Sequence, residues 1–274
     1  MKVKSRQLGL SLIEMAVVIA VIALLVGLGL PAVRALLKSF ETESGAKSMI
    51  SSALATARAI AAKEQKYAGI RFQKAYQPEG PLKASQYMVF IIYDANIPNG
   101  VTGNLGCRAV KSLKPIKLSD SVGVMDLTIV TNRSYGSSYS EIRIDDPILG
   151  GNDYINEDFE LTDTTTFSIL FSPSGKLIIH NLWVRNRDGV NNDSSMDDVF
   201  NTLANVSNNT GMFVQDESDS TELGMELSRN SLIIYERKEF KQAYSRGTAW
   251  SEYLSSIKPV YINPYMGTII SPGQ

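Results

Sequence analysis

The sequence predicts an α+β protein, with one long N-terminal helix packed on an antiparallel β-sheet domain. Three observations carry that prediction. A nearly uncharged apolar run fills Leu10–Val33. Apolar residues at three- and four-residue spacing continue the helix to about residue 65. Beyond residue 66 the pattern changes to short β-branched and aromatic runs parted by turn signals. The bulk composition sets limits. With 44% hydrophobic and 20% charged residues in 274, the chain is neither wholly disordered nor a multi-span membrane protein. The 27 basic and 28 acidic residues balance to −1, which argues against a broad nucleic-acid surface. A single Cys107 excludes an intramolecular disulfide and a multi-cysteine zinc site, and a single His180 argues against a histidine-based triad.

Residues 1–9, MKVKSRQLG, carry Lys2, Lys4 and Arg6 and no acid. Across the next 24 positions only Ser11 and Glu14 are clearly polar. As a helix that run spans about 36 Å, enough for a hydrocarbon core of about 30 Å. The basic flank predicts a cytoplasmic N-terminus, with the rest of the chain on the far side. A secretory signal has a shorter apolar core followed by a small-residue site, whereas Gly9 precedes this one. A plain anchor has no use for Glu14, since a carboxylate in a membrane helix costs roughly 2.5–3.5 kcal/mol.

Gly9-Leu10-Ser11-Leu12-Ile13-Glu14 resembles the processing motif of type IV pilins and of the pseudopilins of type II secretion. The resemblance implies cleavage after Gly9 by a prepilin peptidase and methylation of the new Leu10 amine. It also places Glu14 at mature position five and Pro31 at mature position 22. Leu10 departs from the usual Phe. By the same resemblance, Glu14 of one subunit pairs with the Leu10 amine of a neighbour in a filament. Such a pair would neutralise two charges in low dielectric and set axial register. Pro31, after Gly27 and Gly29, is expected to form a flexible joint.

The helix continues through Leu36, Leu37, Phe40, Met49, Ile50, Ala53, Leu54, Ala57, Ile60 and Ala61, and should end near Gln65 or Lys66. Unbroken from Leu10 it would run about 84 Å. Strands are expected at Tyr67–Phe72, Gln86–Tyr93, Leu127–Thr131, Glu141–Ile144, Thr166–Phe171, Lys176–His180, Met212–Gln215 and Ser231–Tyr235. Ser172-Pro173-Ser174-Gly175 predicts a hairpin turn. A short helix over Ala249–Ile257 would put Trp250, Tyr253, Leu254 and Ile257 on one face, and the NPYMG turn would lead to a last strand at Thr268–Ile270. The order of these pieces, with Phe171-Ser172-Pro173-Ser174-Gly175 late in the domain, resembles the GspH/FimT branch of minor pseudopilins over about residues 45–180. That implies a pilin-like fold.

The polar stretch 182–230 reads as an insertion. Its oxygen-rich loop 186–198 invites calcium, but in EF-hand spacing Val184 and Ser195 fall where carboxylates are needed, so a solvated loop is expected. The acidic run Asp145–Asp163 is also read as solvated. Arg108, Lys111, Lys114 and Lys117 form the one candidate DNA patch, read mainly as a solvated face. Nucleotide-binding, nucleophile-elbow and metalloprotease motifs are absent from the sequence, and no enzymatic role, metal or cofactor is expected.

These readings divide the chain into a leader at 1–9, a transmembrane and assembly segment at 10–33, an amphipathic half-helix at 34–66 and a β-rich periplasmic domain at 67–274. The implied function is a minor pseudopilin, a structural subunit of a type II secretion pseudopilus anchored in the inner membrane. Its implied partners are other pseudopilins, the prepilin peptidase and the inner-membrane assembly platform. The alternative is a FimT-like minor type IV pilin in pilus assembly or DNA uptake. Cleavage after Gly9 would leave 24 basic against 28 acidic residues.

Overall fold

The computed structural model describes residues 12–25, 42–75, 77, 79–95, 105–110, 112–132, 140–146, 155–185 and 225–270. The chain divides into two compact units, Met1–Phe40 and Glu41–Gln274. In the first, residues 12–25 form helix α1. The second opens with α2 (Glu43–Glu64). It continues with β1 (Ala68–Lys74), β2 (Gln86–Tyr93), β3 (Leu105–Ala109), β4 (Ile116–Lys117), β5 (Val122–Met125), β6 (Thr128–Asn132) and β7 (Ser140–Arg143). Then come α3 (Asp158–Thr165), β8 (Phe167–Phe171), β9 (Leu177–Ile178), β10 (Asn181–Arg185), β11 (Met225–Leu227), β12 (Ser231–Glu236), α4 (Arg237–Tyr244), β13 (Val260–Ile262) and β14 (Ile269–Ile270).

The expected unbroken helix from residue 10 to residue 65 is corrected at Thr42. That residue is extended (φ −90°, ψ 165°) and its hydroxyl accepts the Gly45 N–H, so α2 has its own start. A threonine can satisfy one of the free amides of a first turn, which favours a fresh cap over continued helix. Glu43 in that turn adds a favourable charge and pairs with Lys47 at 2.7 Å. The other end falls where expected. Gln65 adopts the left-handed conformation (φ 52°), and the Lys66 N–H bonds back to the Ala61 carbonyl.

The buried face of α2 is Ala46, Ile50, Ala53, Leu54, Ala57 and Ala61; of the stripe that the spacing predicts, Met49 and Ile60 are only partly buried, and Ala46 is an addition to it. It packs on β1, β2, β8 and β12. The main sheet has the order β11-β10-β3-β2-β1-β8-β9, with β4 also paired to β2. Its ladders are antiparallel except β3 with β10. A second sheet runs β14-β13-β12-β5, and β6 and β7 form a separate pair. Strand β1 is buried along its whole length. Ala68, Ile70 and Phe72 face the core under α2, where the Phe72 and Phe167 rings stack with centroids 4.8 Å apart.

Period-two alternation therefore sends Arg71 and Gln73 to the opposite face. That face holds Val89, Ile91, Cys107, Ala109, Leu170, Leu182 and Val184. Arg71 is 1% exposed, and Glu226 of β11 meets its guanidinium at 2.7 Å. Ser168 donates a short hydrogen bond to the same carboxylate. The third core gathers Leu127, Ile129, Ile144, Leu161, Phe240 and Leu254.

Several expected boundaries move. The strand predicted at Leu127–Thr131 begins one residue later, because Leu127 takes a positive φ of 62°. Lys176–His180 shortens to the two residues of β9. The SPSG hairpin forms, with the Ser172 N–H bonding to the Lys176 carbonyl and Gly175 at φ +75°. The acidic run is not wholly solvated. Glu157 and Glu160 form a capping box that starts α3, and Asp163 is buried. Ala249–Tyr253 form a π turn and Leu254–Ser256 a 3₁₀ turn, with Leu254 buried and Trp250, Tyr253 and the extended Ile257 packed beside it.

Removing one partner of a buried ion pair strands the other in low dielectric. Glu226→Ala should therefore cost about 3 kcal/mol in urea unfolding of the full chain in mild detergent. Adding Arg71→Met to that variant should recover most of the loss. Equal stability of the single variant and the parent would show that the pair carries no weight.

Candidate functional site

Helix α1 is described as a unit by itself. Its large side chains are Leu12, Ile13, Met15, Val17, Val18, Ile19, Val21, Ile22, Leu24 and Leu25, and each is at least half exposed. At 3.6 residues per turn these positions leave no polar stripe. Glu14 is the one ionisable residue within 12–25, and it is exposed. A soluble surface helix hides one face and presents charge on the other. This helix lacks the polar face and needs apolar cover on every side. Among the described residues, no helix is long and apolar enough to cross a membrane. Gly9, Leu10, Gly27 and Pro31 lie outside the described residues, as do Lys111, the 186–198 loop and the strand expected at Met212–Gln215.

The remaining members of the proposed DNA patch are placed as follows. Arg108 is half-buried and paired with Asp94, Lys117 pairs with Asp120 at 2.8 Å, and Lys114 is exposed. Two of these cations thus face carboxylates of their own domain. Among the described residues, no group of three or more His, Cys, Asp or Glu side chains is placed to hold a metal ion. His180 is exposed beyond β9, with Nδ1 2.8 Å from the Asn181 carbonyl oxygen. Cys107 is fully buried. Burial pushes its thiol up to about 12, with the Glu226 charge adding to the effect and Arg71 opposing it. At neutral pH it stays protonated and inert.

A cleft of about 460 Å³ opens where the first turn of α2 meets β12 and residues 253–260. Val122, Ile234 and Val260 line it together with Glu43, Glu236 and Glu239. The Tyr253 hydroxyl accepts the Glu236 N–H at 2.8 Å. Burial, and then the charges of Glu239, Glu236 and Glu43, raise that phenol above its ordinary range, although the Glu236 backbone bond works the other way. The cleft thus holds a neutral phenol among three carboxylates and the lysines Lys47 and Lys258, over an apolar floor.

The sequence reading missed the buried charges. Arg229 lies between Asp126 at 2.6 Å and Glu141, whose two oxygens accept from both terminal nitrogens at 2.8 and 2.6 Å. Lys74 is buried, and its Nζ donates to the Pro81 carbonyl at 2.7 Å. One signal was available in Ala68-Gly69-Ile70-Arg71-Phe72-Gln73-Lys74. Its alternation places polar side chains on the second face of a strand that lies in the middle of the sheet. Comparisons with protein families, curated proteins and solved structures find no match.

Burial, and then the nearby Arg237 charge, lower the Lys74 pKa from 10.5 to about 7. Between those values the unfolded chain binds the proton that the folded chain has released. Stability therefore rises with pH across that window and falls as pH drops toward 7. Lys74→Met should flatten the rise when urea midpoints of the full chain are compared at pH 7 and pH 10. An unchanged pH slope would remove Lys74 as its source.

Proposed function

We propose that the chain is a minor pseudopilin, a structural subunit of a type II secretion pseudopilus with a pilin-like fold. It enters the inner membrane with its N-terminus in the cytoplasm, is cut after Gly9 and is methylated at Leu10. It then joins a periplasmic filament of pseudopilins at the assembly platform. The observation that carries the reading is the N-terminal register. Lys2, Lys4 and Arg6 precede Gly9, Glu14 follows at the fifth mature position, and Pro31 falls at the twenty-second.

The surroundings of that register support it. Helix α1 exposes apolar side chains on all sides, which suits lipid before assembly and packed neighbouring helices afterwards. In a filament the freed cationic amine of a neighbour would lie against the Glu14 carboxylate in low dielectric and neutralise it. The β-rich unit that follows gives such a filament its outer surface. Antiparallel sheets with α2 packed on one face agree with this reading without singling it out.

Mass spectrometry of the chain from cells with and without a prepilin peptidase tests the proposal. With the enzyme, the mature chain should begin at Leu10 and carry one added methyl group. Without it, residues 1–9 should remain. Gly9→Arg should block cleavage while leaving the chain in the membrane fraction. A mature N-terminus elsewhere, or cleavage independent of the peptidase, would sink the reading.

A further inference from the structure

Six large hydrophobic side chains stand exposed among the described residues of the second unit: Phe159, Ile179, Tyr261, Tyr265, Met266 and Ile270. All except Phe159 belong to β9, β13, β14 and their connections. Tyr261 and Ile270 are cross-strand partners. The Leu177 N–H bonds to the Pro264 carbonyl at 2.8 Å, joining β9 to the 263–267 turn. At the tip of that turn Tyr265 is 67% and Met266 61% exposed. Lys176 lies over the Tyr265 ring, 5.7 Å from its centroid. Arg58 donates to the Gly175 carbonyl beside the same turn. Segments 172–182 and 258–270 contain no Asp or Glu. This patch is aromatic, apolar and basic.

The sixth residue has the opposite setting. Phe159 is 55% exposed in the first turn of α3, between Asp158 and Glu160, with Glu157 one residue further back. Glu79, on the neighbouring loop, already pairs with Lys83, so that lysine does not cancel the collar. Strand register places the two patches at opposite ends of the sheet. Phe167 of β8 pairs with Phe72 near the end of β1, and Phe171 pairs with Ala68 at its start. Helix α3 leads into β8 at the first end. There the Asp158 carboxylate lies 2.9 Å from where a side chain on Gly80, in the β1–β2 loop, would begin. The 172–175 turn leaves β8 at the other end. There a side chain on Gly267 would begin 3.2 Å from the Phe171 ring. Five residues of strand, about 17 Å, lie between the ends.

We propose that these patches bind each other between copies, so that the basic Tyr265–Met266 turn of one chain seats on Phe159 and the acidic collar of a second copy. Because the two surfaces differ and lie at opposite ends of the strands, the contact is head to tail and leaves a free patch at each end. Contacts of that kind propagate into open chains rather than closed dimers. A turn tip and one short helical turn make a small interface, so the contact is weak on its own. It becomes populated where another part of the chain concentrates the copies. The pairing goes beyond the function proposed above, because both of its surfaces belong to the second unit.

Paired cysteines in the full chain, oxidised in membranes of the producing cells, test it. Cys107 is fully buried and does not report. Phe159→Cys combined with Met266→Cys should give a crosslinked ladder of dimers, trimers and longer species. Each single variant should give no ladder. Adding Lys176→Glu should weaken the ladder several-fold, and Asp158→Lys on top of it, which leaves the Glu157–Glu160 capping box in place, should restore it. The proposal is overturned by a double variant that crosslinks no better than the singles, by dimers from Met266→Cys alone at the yield of the pair, or by a ladder indifferent to Lys176→Glu. Cleavage at Gly9 in the same samples is read separately, so either idea can fail without the other.

Discussion

The second unit depends on one burial event, the closure of the α2 stripe over both sheets. Ala46, Ala53, Ala57 and Ala61 are small, so the helix backbone can approach the strands closely. Ile50 and Leu54 supply the volume between them, and both are completely buried. Beneath lie Ile70, Phe72, Phe90 and Phe167 of the large sheet and Ile234 and Val260 of the small one. Each sheet alone would expose an apolar face. A fully buried Leu, Ile or Phe contributes roughly 1.5–3 kcal/mol, so this one seam outweighs the surface ion pairs by a wide margin. The Thr42 cap sets where the helix begins, and hence which residues reach the seam.

On the opposite face the logic is polar, and it sets register where apolar contacts are permissive. The segment 226–229 carries three ties. Glu226 reaches Arg71 in the central strand, Ser228 donates to the Ile178 carbonyl, and Arg229 clamps Asp126 and Glu141. A slip of one residue would exchange Glu226 for an apolar neighbour and bury a charge without its partner, which is far costlier than a poor apolar fit. These ties explain how so short a strand as β11 can hold the sheet edge after the polar stretch that precedes it in sequence. Cys107, on the same face, is kept protonated first by its burial, with the Glu226 charge adding to the effect and Arg71 opposing it.

The α2 stripe, β2 to the residue and the SPSG hairpin were legible because each rests on local periodicity or turn chemistry. Strands such as Leu105–Ala109 were not, because a short run containing Gly and Arg becomes a strand only through its neighbours. Helix α3 carried its own signal, Glu157 followed three residues later by Glu160, but the surrounding acidity masked it. At the N-terminus the roles proposed for Gly9, Leu10 and Pro31 rest on sequence register alone, since these residues lie outside the described ones. The turn at Tyr265–Met266 shows the reverse. Asn263 and Gly267 were readable as turn residues, but not that the tip would project two large side chains beside Lys176.

The two kinds of exposed apolar surface in this chain have different physical consequences. A helix that is apolar on every side gains free energy from any cover, lipid or protein, and in any rotation about its axis. Such a segment associates without direction, because burial is proportional to area and blind to geometry. Glu14 adds one directional element to it. The patches on the second unit are small, opposite in charge and fixed at opposite ends of a sheet. They add little affinity but admit few orientations, since a like-charged juxtaposition is repelled. In a filament, apolar segments of the first kind would hold chains together, and contacts of the second kind would decide which end of one head meets which end of the next. In the proposed filament that division of labour would let subunits leave a bilayer without leaving the assembly, because only the indiscriminate part of the association would have to exchange lipid for protein.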